Sequence, residues 1–185
     1  MSKRSTTRRA LLFCMVLLTG VIFPVLSSAQ EGRSHKVGIS AAVREDQTEI
    51  MFPIWTSGNS AVVPSFAISH EATVGTWYSL GLALRGYLGT GKAVPYIGLH
   101  GAAMVTNYDA YESSWTDVIL GPVVGGEYFL ADRFSLGVEA RLDVTIEGDR
   151  EVPPYYYPDY YIYSQKTSGH TLVNSSALAQ ATFYF

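Results

Sequence analysis

From residue 133 to residue 146 the sequence changes polarity at every step. Phe134, Leu136, Val138, Ala140, Leu142, Val144 and Ile146 alternate with Arg133, Ser135, Gly137, Glu139, Arg141, Asp143 and Thr145. An extended chain separates two such sets cleanly, because successive side chains of a strand point to opposite faces; a helix would spread both around its circumference. The same period recurs upstream, where Tyr78, Leu80, Leu82, Leu84 and Leu88 oppose Trp77, Ser79, Gly81, Ala83, Arg85 and Tyr87. It returns at the end, where Val173, Ala177, Ala179, Ala181, Phe183 and Phe185 oppose Asn174, Ser176, Gln180, Thr182 and Tyr184. One face is apolar and the other is small or polar, and no helical stripe competes.

Eight stretches of this kind are readable, near residues 36–44, 48–56, 61–70, 76–88, 93–106, 115–130, 133–147 and 171–185. Connections after the even stretches are tight: Ser57-Gly58-Asn59-Ser60, Gly89-Thr90-Gly91-Lys92 and Ala131-Asp132. Those after the odd stretches tend to be longer, notably 107–114 and 148–170, although the first, Glu45-Asp46-Gln47, breaks the trend. Short turns at one end and long loops at the other are the pattern of an up-and-down barrel of the outer-membrane type, with the turns and both termini on the periplasmic side. Strands of about 9 to 11 residues cross a bilayer when tilted, and closure leaves no bare edge in lipid. The expected fold is therefore all-β, an eight-stranded antiparallel up-and-down transmembrane barrel.

The first 29 residues read differently. Lys3, Arg4, Arg8 and Arg9 precede an almost uncharged run over 10–26, which ends in Ser27-Ser28-Ala29. A basic start, an apolar middle and a small-x-small end describe a secretory signal, so the mature domain is expected to span residues 30–185. Of the 13 basic and 16 acidic residues, the signal removes four basic ones and leaves a net charge near −7. Nucleic-acid binding, which needs clustered cations against phosphate, is excluded. The single cysteine, Cys14, lies within the signal, so neither a disulfide nor a thiolate site is expected; a lipoprotein cut there would leave only residues 10–13 as the apolar segment. No later apolar run reaches the roughly 18 residues of a spanning helix.

Alternation does not by itself say which face looks out. A secreted, soluble, lipocalin-like barrel holding a small ligand in an apolar interior would carry the same stripes inside out. A charged fraction of 16%, below the usual quarter, and a polar face rich in Gly, Ala and Ser favour the membrane barrel.

Three segments carry a family resemblance: Gly125-Gly126-Glu127-Tyr128-Phe129-Leu130, the turn Ala131-Asp132-Arg133 leading into Phe134-Ser135-Leu136-Gly137-Val138-Glu139, and the final Ala181-Thr182-Phe183-Tyr184-Phe185. With them the whole mature chain resembles the small eight-stranded outer-membrane barrels of the OmpA and OmpX type, opacity-like surface proteins included. The resemblance implies that Phe185, Phe183 and Ala181, followed upstream by Ala179 and Ala177, form the signal read by the barrel-assembly machinery. It implies outer-membrane lipid as surroundings and a structural or surface-interaction role. The chain stops at the last strand, so the peptidoglycan-binding domain of OmpA itself is not expected.

If the apolar face looks outward, Lys36, Arg44, Glu49, Arg85, His100, Asp117, Glu127, Glu139, Arg141 and Asp143 look inward. An eight-stranded barrel is just wide enough for side chains to fill, so these mixed charges are expected to pair with one another. A narrow ion path through them is the alternative use.

Catalysis and metal binding find little support. Ser69 and His70 are neighbours on one strand and point to opposite faces, His100 has no assignable serine partner, and Gly169-His170-Thr171-Leu172 departs from the His-x-Ser-Asn pattern of barrel deacylases. Histidines at ligand spacing and mature cysteines are both lacking, and Asp149, Glu151 and Asp159 fit no calcium loop. No enzyme activity, cofactor or metal is expected, and a monomer is the default for a closed barrel.

The most distinctive segment is Pro153-Pro154-Tyr155-Tyr156-Tyr157-Pro158-Asp159-Tyr160-Tyr161-Ile162-Tyr163 in the last long connection. Tyrosine offers large contact area at low entropy cost together with a hydroxyl. Tyr155, Tyr156, Tyr157, Tyr160, Tyr161 and Tyr163 are thus candidates for contact with an extracellular protein or glycan. The alternative is that part of this run extends the flanking strands, with tyrosines in an interfacial belt.

Overall fold

The computed structural model describes residues 36–44, 47–71, 75–108, 113–152, 155–157, 160–162, 165–167 and 169–185. The signal segment lies outside them. The described strands are β1 (Gly38–Arg44), β2 (Gln47–Met51), β3 (Ile54–Ser57), β4 (Ser60–Glu71), β5 (Gly75–Tyr87), β6 (Ala93–Tyr108), β7 (Ser113–Ala131), β8 (Phe134–Ile146), β9 (Arg150–Val152), β10 (Tyr155–Tyr157), β11 (Tyr160–Ile162), β12 (Gln165–Thr167) and β13 (Thr171–Tyr184).

Antiparallel ladders join β1 to β2, β2 to β4, and then β4, β5, β6, β7, β8 and β13 in turn, and β13 returns to β1. The ring closes with eight staves. The second stave is made of two strands, β2 and β3, because Phe52 and Pro53 interrupt it and proline has no N–H to donate. Neighbours bridge the break: Phe52 N donates to Pro64 O, Gly38 N to Pro53 O and Trp55 N to Lys36 O, each at 2.8 Å. The stretch read as one strand over 48–56 is thus interrupted at Phe52-Pro53 but keeps one register against β4.

The polarity of the wall is settled by burial. Leu80, Val138, Leu99, Val173 and Phe185 stand 62–67% exposed on the outside. Arg85 on β5, Glu127 on β7 and Glu139 and Arg141 on β8, all on the opposite parity to the outward residues, are at most 4% exposed. This is the reverse of what a soluble lipocalin-like barrel requires.

One end carries the tight turns. Ser57 and Ser60 hydroxyls meet at 2.6 Å across the first, and Asp132 and Arg133 form the last. At the other end the connection after β8 is no open loop. Ile146 pairs with Thr171, Glu147 N donates to His170 O at 3.0 Å, Arg150 pairs with Thr167 and Val152 with Gln165, and Tyr155 to Tyr157 pair with Ile162 to Tyr160. Every one of these pairs among the described residues keeps the register set by Phe134↔Phe183, so the β9–β12 and β10–β11 ladders lie on the same register as β8 and β13.

Candidate functional site

The lumen at the turn end is built from aromatic rings. Trp55 lies 4.3 Å from Tyr87 and 6.3 Å from Tyr184 between centroids, Tyr87 is 5.1 Å from Tyr96, and Phe129 is 5.9 Å from Tyr184. β3, β5, β6, β7 and β13 each contribute a ring by the same inward parity. Gly125 makes room for Tyr96, since a Cβ there would stand 2.6 Å from its ring and hydroxyl.

Above the rings lie five buried charges. Arg85 Nη2 is 2.7 Å from Glu139 Oε2, and its Nη1 is 3.7 Å from Glu127. Arg141 donates from Nε to Glu139 Oε1 at 2.6 Å and from Nη1 to Glu49 Oε2 at 3.0 Å. Glu127 has its guanidinium at the longer distance, and four neutral donors complete it: Tyr87 at 2.7 Å, Tyr184 at 2.8 Å, Ser135 at 3.0 Å and Gln180 at 3.4 Å. Tyr96 donates to Glu139 at 2.9 Å while its ring lies beneath the Arg85 guanidinium at 4.7 Å. Arg85 also reaches Gln180 at 3.2 Å, and both arginines approach Met51 Sδ, at 3.6 and 3.9 Å. Ions at this depth are tolerable only when paired and hydrogen-bonded; here each carboxylate faces a guanidinium across the barrel's width, while Arg85 Nε is left without an acceptor.

A looser layer sits nearer the long-loop end. His100 Nδ1 is 3.6 Å from Asp143 Oδ1, and Arg44 Nη1 is 3.8 Å from the other oxygen of Asp143 while Nη2 donates to Gln47 at 2.6 Å. Asp117 is also buried and accepts from Gly148 N at 2.9 Å.

Of the ten residues expected inside, Glu49, Arg85, His100, Asp117, Glu127, Glu139, Arg141 and Asp143 are buried and Arg44 is half-buried. Lys36 is exposed at the turn end, because it precedes β1 and lies below the first ladder pair. The residues missed by sequence reading are the partners Tyr87, Tyr96, Tyr184, Gln180 and Ser135. Their inward parity was visible, but which of them meet Glu127 or Glu139 depends on cross-lumen distances that no local pattern encodes. Phe183 and Phe185 are exposed on the outer wall with Ala181 half-buried beside them. Tyr155, Tyr156, Tyr157, Tyr160 and Tyr161 belong to β10 and β11; Tyr163 lies outside the described residues.

His70 is exposed and meets Thr76 at 2.9 Å, and Ser69 is half-buried on the other face. Among the described residues no three His, Cys, Asp or Glu side chains are grouped as metal ligands.

No protein-family model and no curated protein matches the sequence. Solved structures are similar to it at low identity. Neisserial surface protein A is 15% identical, with 84% of this chain and all of that chain covered at a TM-score of 0.49. The N-terminal β-barrel domain of Pseudomonas aeruginosa OprF is 13% identical over 84% of this chain and all of that one, at 0.46. OmpT, an outer-membrane protein of Vibrio cholerae, covers 75% of this chain and 40% of its own length at 0.28.

Proposed function

We propose that the chain is an integral outer-membrane barrel whose work is structural and surface-interactive, without catalysis. The observation that supports this reading is the inverted polarity of the wall. Large apolar side chains face out around the ring, while Arg85, Glu127, Glu139, Arg141 and Asp143 are buried within it. A fold of that polarity is stable where hydrocarbon surrounds it, and an antiparallel closed barrel satisfies its backbone there. The sealed ring of Trp55, Tyr87, Tyr96 and Tyr184 at the turn end fits an occluded lumen rather than a channel.

On this reading residues 1–29 direct export and are removed, and the assembly machinery reads Phe185, Phe183 and Ala181. The mature barrel sits as a monomer with its turns in the periplasm. The arm formed by β9, β10, β11 and β12 then stands outside the cell, with tyrosines concentrated toward its tip, as a contact surface for an extracellular protein or glycan.

Expression of the full chain in a Gram-negative host tests this. The protein is expected in the outer-membrane fraction with Gln30 as its first residue, and deletion of 153–163 is expected to abolish binding to host cells or matrix while leaving the barrel folded. Recovery in the soluble periplasm would overturn the membrane reading; unchanged binding after the deletion would overturn the contact role.

A further inference from the structure

The wall is not of even height. The β1 ladder to β13 ends at Val43↔Ala179, and the β2 ladder to β4 ends at Thr48↔Ile68. β13 continues up to Thr171 and β4 to Glu71. Among the described residues, 171–178 therefore pair with β8 alone and 69–71 with β5 alone. Among the described residues neither β1 nor β2 reaches this level, and a strand spacing of about 4.8 Å makes the interval between β13 and β4 roughly 14 Å wide, a notch in the wall.

The notch lies at bilayer depth. The outward apolar face of β1 runs from Val37 to Val43, which in a tilted strand covers about 15–18 Å of an apolar band roughly 25 Å tall. Bare backbone edges are not tolerated against hydrocarbon unless they border a watered cavity, so the notch is where the lumen reaches the wall.

Burial on the inside agrees. At the turn end the inward side chains are almost all buried; in the outer half Thr106, Asp117 and Thr145 are also buried, but Trp77, Ser79, Met104 and Ile119 are only half-buried. Leu172, on the inward parity of β13, is 45% exposed, and residues 171–175 are exposed on both faces. Arg44, His100 and Asp143 form the floor of this open half, with the Arg85 and Arg141 network sealed beneath. A ligand entering here has no way through, and its exit is sideways.

We propose that the notch is a lateral opening through which the outer half of the lumen takes up an acyl chain at the depth of the outer leaflet. Trp77, Ala102, Met104, Ile119 and Leu172 supply apolar lining, and an unbranched chain is narrow enough for an eight-stranded interior. The polar head stays at the rim near Asn174 and Arg44. The proposal rests on the membrane reading above and adds to it a ligand class and a route.

Bromine-labelled chains test it, since bromine quenches only nearby tryptophans. The full mature chain is folded into phosphatidylcholine vesicles, and the emission of Trp77 is isolated by difference from a Trp77→Phe variant. Trp55, isolated in the same way, gives the baseline for a sealed inward ring. A Leu80→Trp reporter on the outer wall gives the value for open contact with lipid. With brominated phosphatidylcholine, Trp77 is expected to be quenched about twofold or more above Trp55, approaching the Leu80→Trp reporter. Should free brominated stearate in unlabelled vesicles reproduce this and brominated phosphatidylcholine fail to, the chain enters as a fatty acid and not as a bilayer lipid. Trp77 quenched no more than Trp55 by either probe, with the reporter fully quenched, overturns the lateral opening while leaving the membrane barrel intact. A reporter that is itself not quenched overturns both.

Discussion

Arg85 Nη2 and Glu139 Oε2 meet at 2.7 Å in the middle of the barrel, with side chains 1% and 0% exposed. They come from β5 and β8, which are not neighbours in the ring, so the pair ties opposite walls together through the lumen.

Removing one partner strands the other charge. Glu139→Gln leaves Arg85 and Arg141 facing a neutral amide, and by the behaviour of broken buried pairs the loss is about 3–5 kcal/mol. Urea unfolding in detergent, followed by tryptophan emission, is expected to show a markedly lower midpoint. Arg85→Met together with Glu139→Leu, which removes both ions, is expected to recover part of that loss. An unchanged midpoint for Glu139→Gln would mean that the network is not closed in solution.

The hydroxyl of Tyr184 donates to Glu127 at 2.8 Å. Tyr184→Phe keeps the ring against Trp55 and Phe129 and deletes only that donor, for an expected cost of about 1.5–3 kcal/mol, the range for hydrogen bonds to charged groups. Phe183→Tyr, one residue away on the outer face, is expected to be nearly neutral. The same unfolding measurement compares the two, and equal effects would contradict the assigned faces.

Outer and inner positions on β5 are expected to differ sharply. Leu80 is 67% exposed at mid-strand, and an arginine there would face hydrocarbon at a cost of about 2–4 kcal/mol. Ser79→Asn, directed to the half-open lumen, is expected to cost little. Folding yield into vesicles reads this contrast, and a tolerated Leu80→Arg would argue against lipid on that face.

The arm is expected to be dispensable for folding. Ladder pairing of β8 with β13 is complete from Phe134↔Phe183 to Thr171↔Ile146 before the arm begins. Deletion of 153–163 is therefore expected to leave the far-ultraviolet β spectrum and the unfolding midpoint unchanged. A large loss of stability would mean that the arm packs on the barrel.

Much of this architecture is legible in the sequence because a strand's period of two ties residue parity directly to face. The parity of Glu139, Arg141 and Asp143 against Val138, Ala140 and Leu142 survives any error in the strand ends, so the faces are secure where the boundaries are not. Features that depend on three-dimensional closure are less visible. The notch follows from the short connection Glu45-Asp46-Gln47, which stands out as an exception to the loop trend, but its consequence needs the register of β1 on β13. The pairing of β10 with β11 has a sequence sign in the near-symmetry of Tyr155-Tyr156-Tyr157 and Tyr160-Tyr161 about Pro158-Asp159, which the prolines and the length of the connection conceal. The inward partners of Glu127 come from β5, β8 and β13, brought together only by curvature.

The central claim is that this barrel is apolar outside and charged inside because it is built for lipid. Residues 30–185 refolded from urea into detergent, and separately into plain buffer, can be run on SDS gels with and without boiling alongside far-ultraviolet circular dichroism. A heat-dependent shift in mobility, with a β spectrum obtained in detergent and aggregation in buffer, is the predicted result. A soluble β fold that needs no detergent would contradict the account.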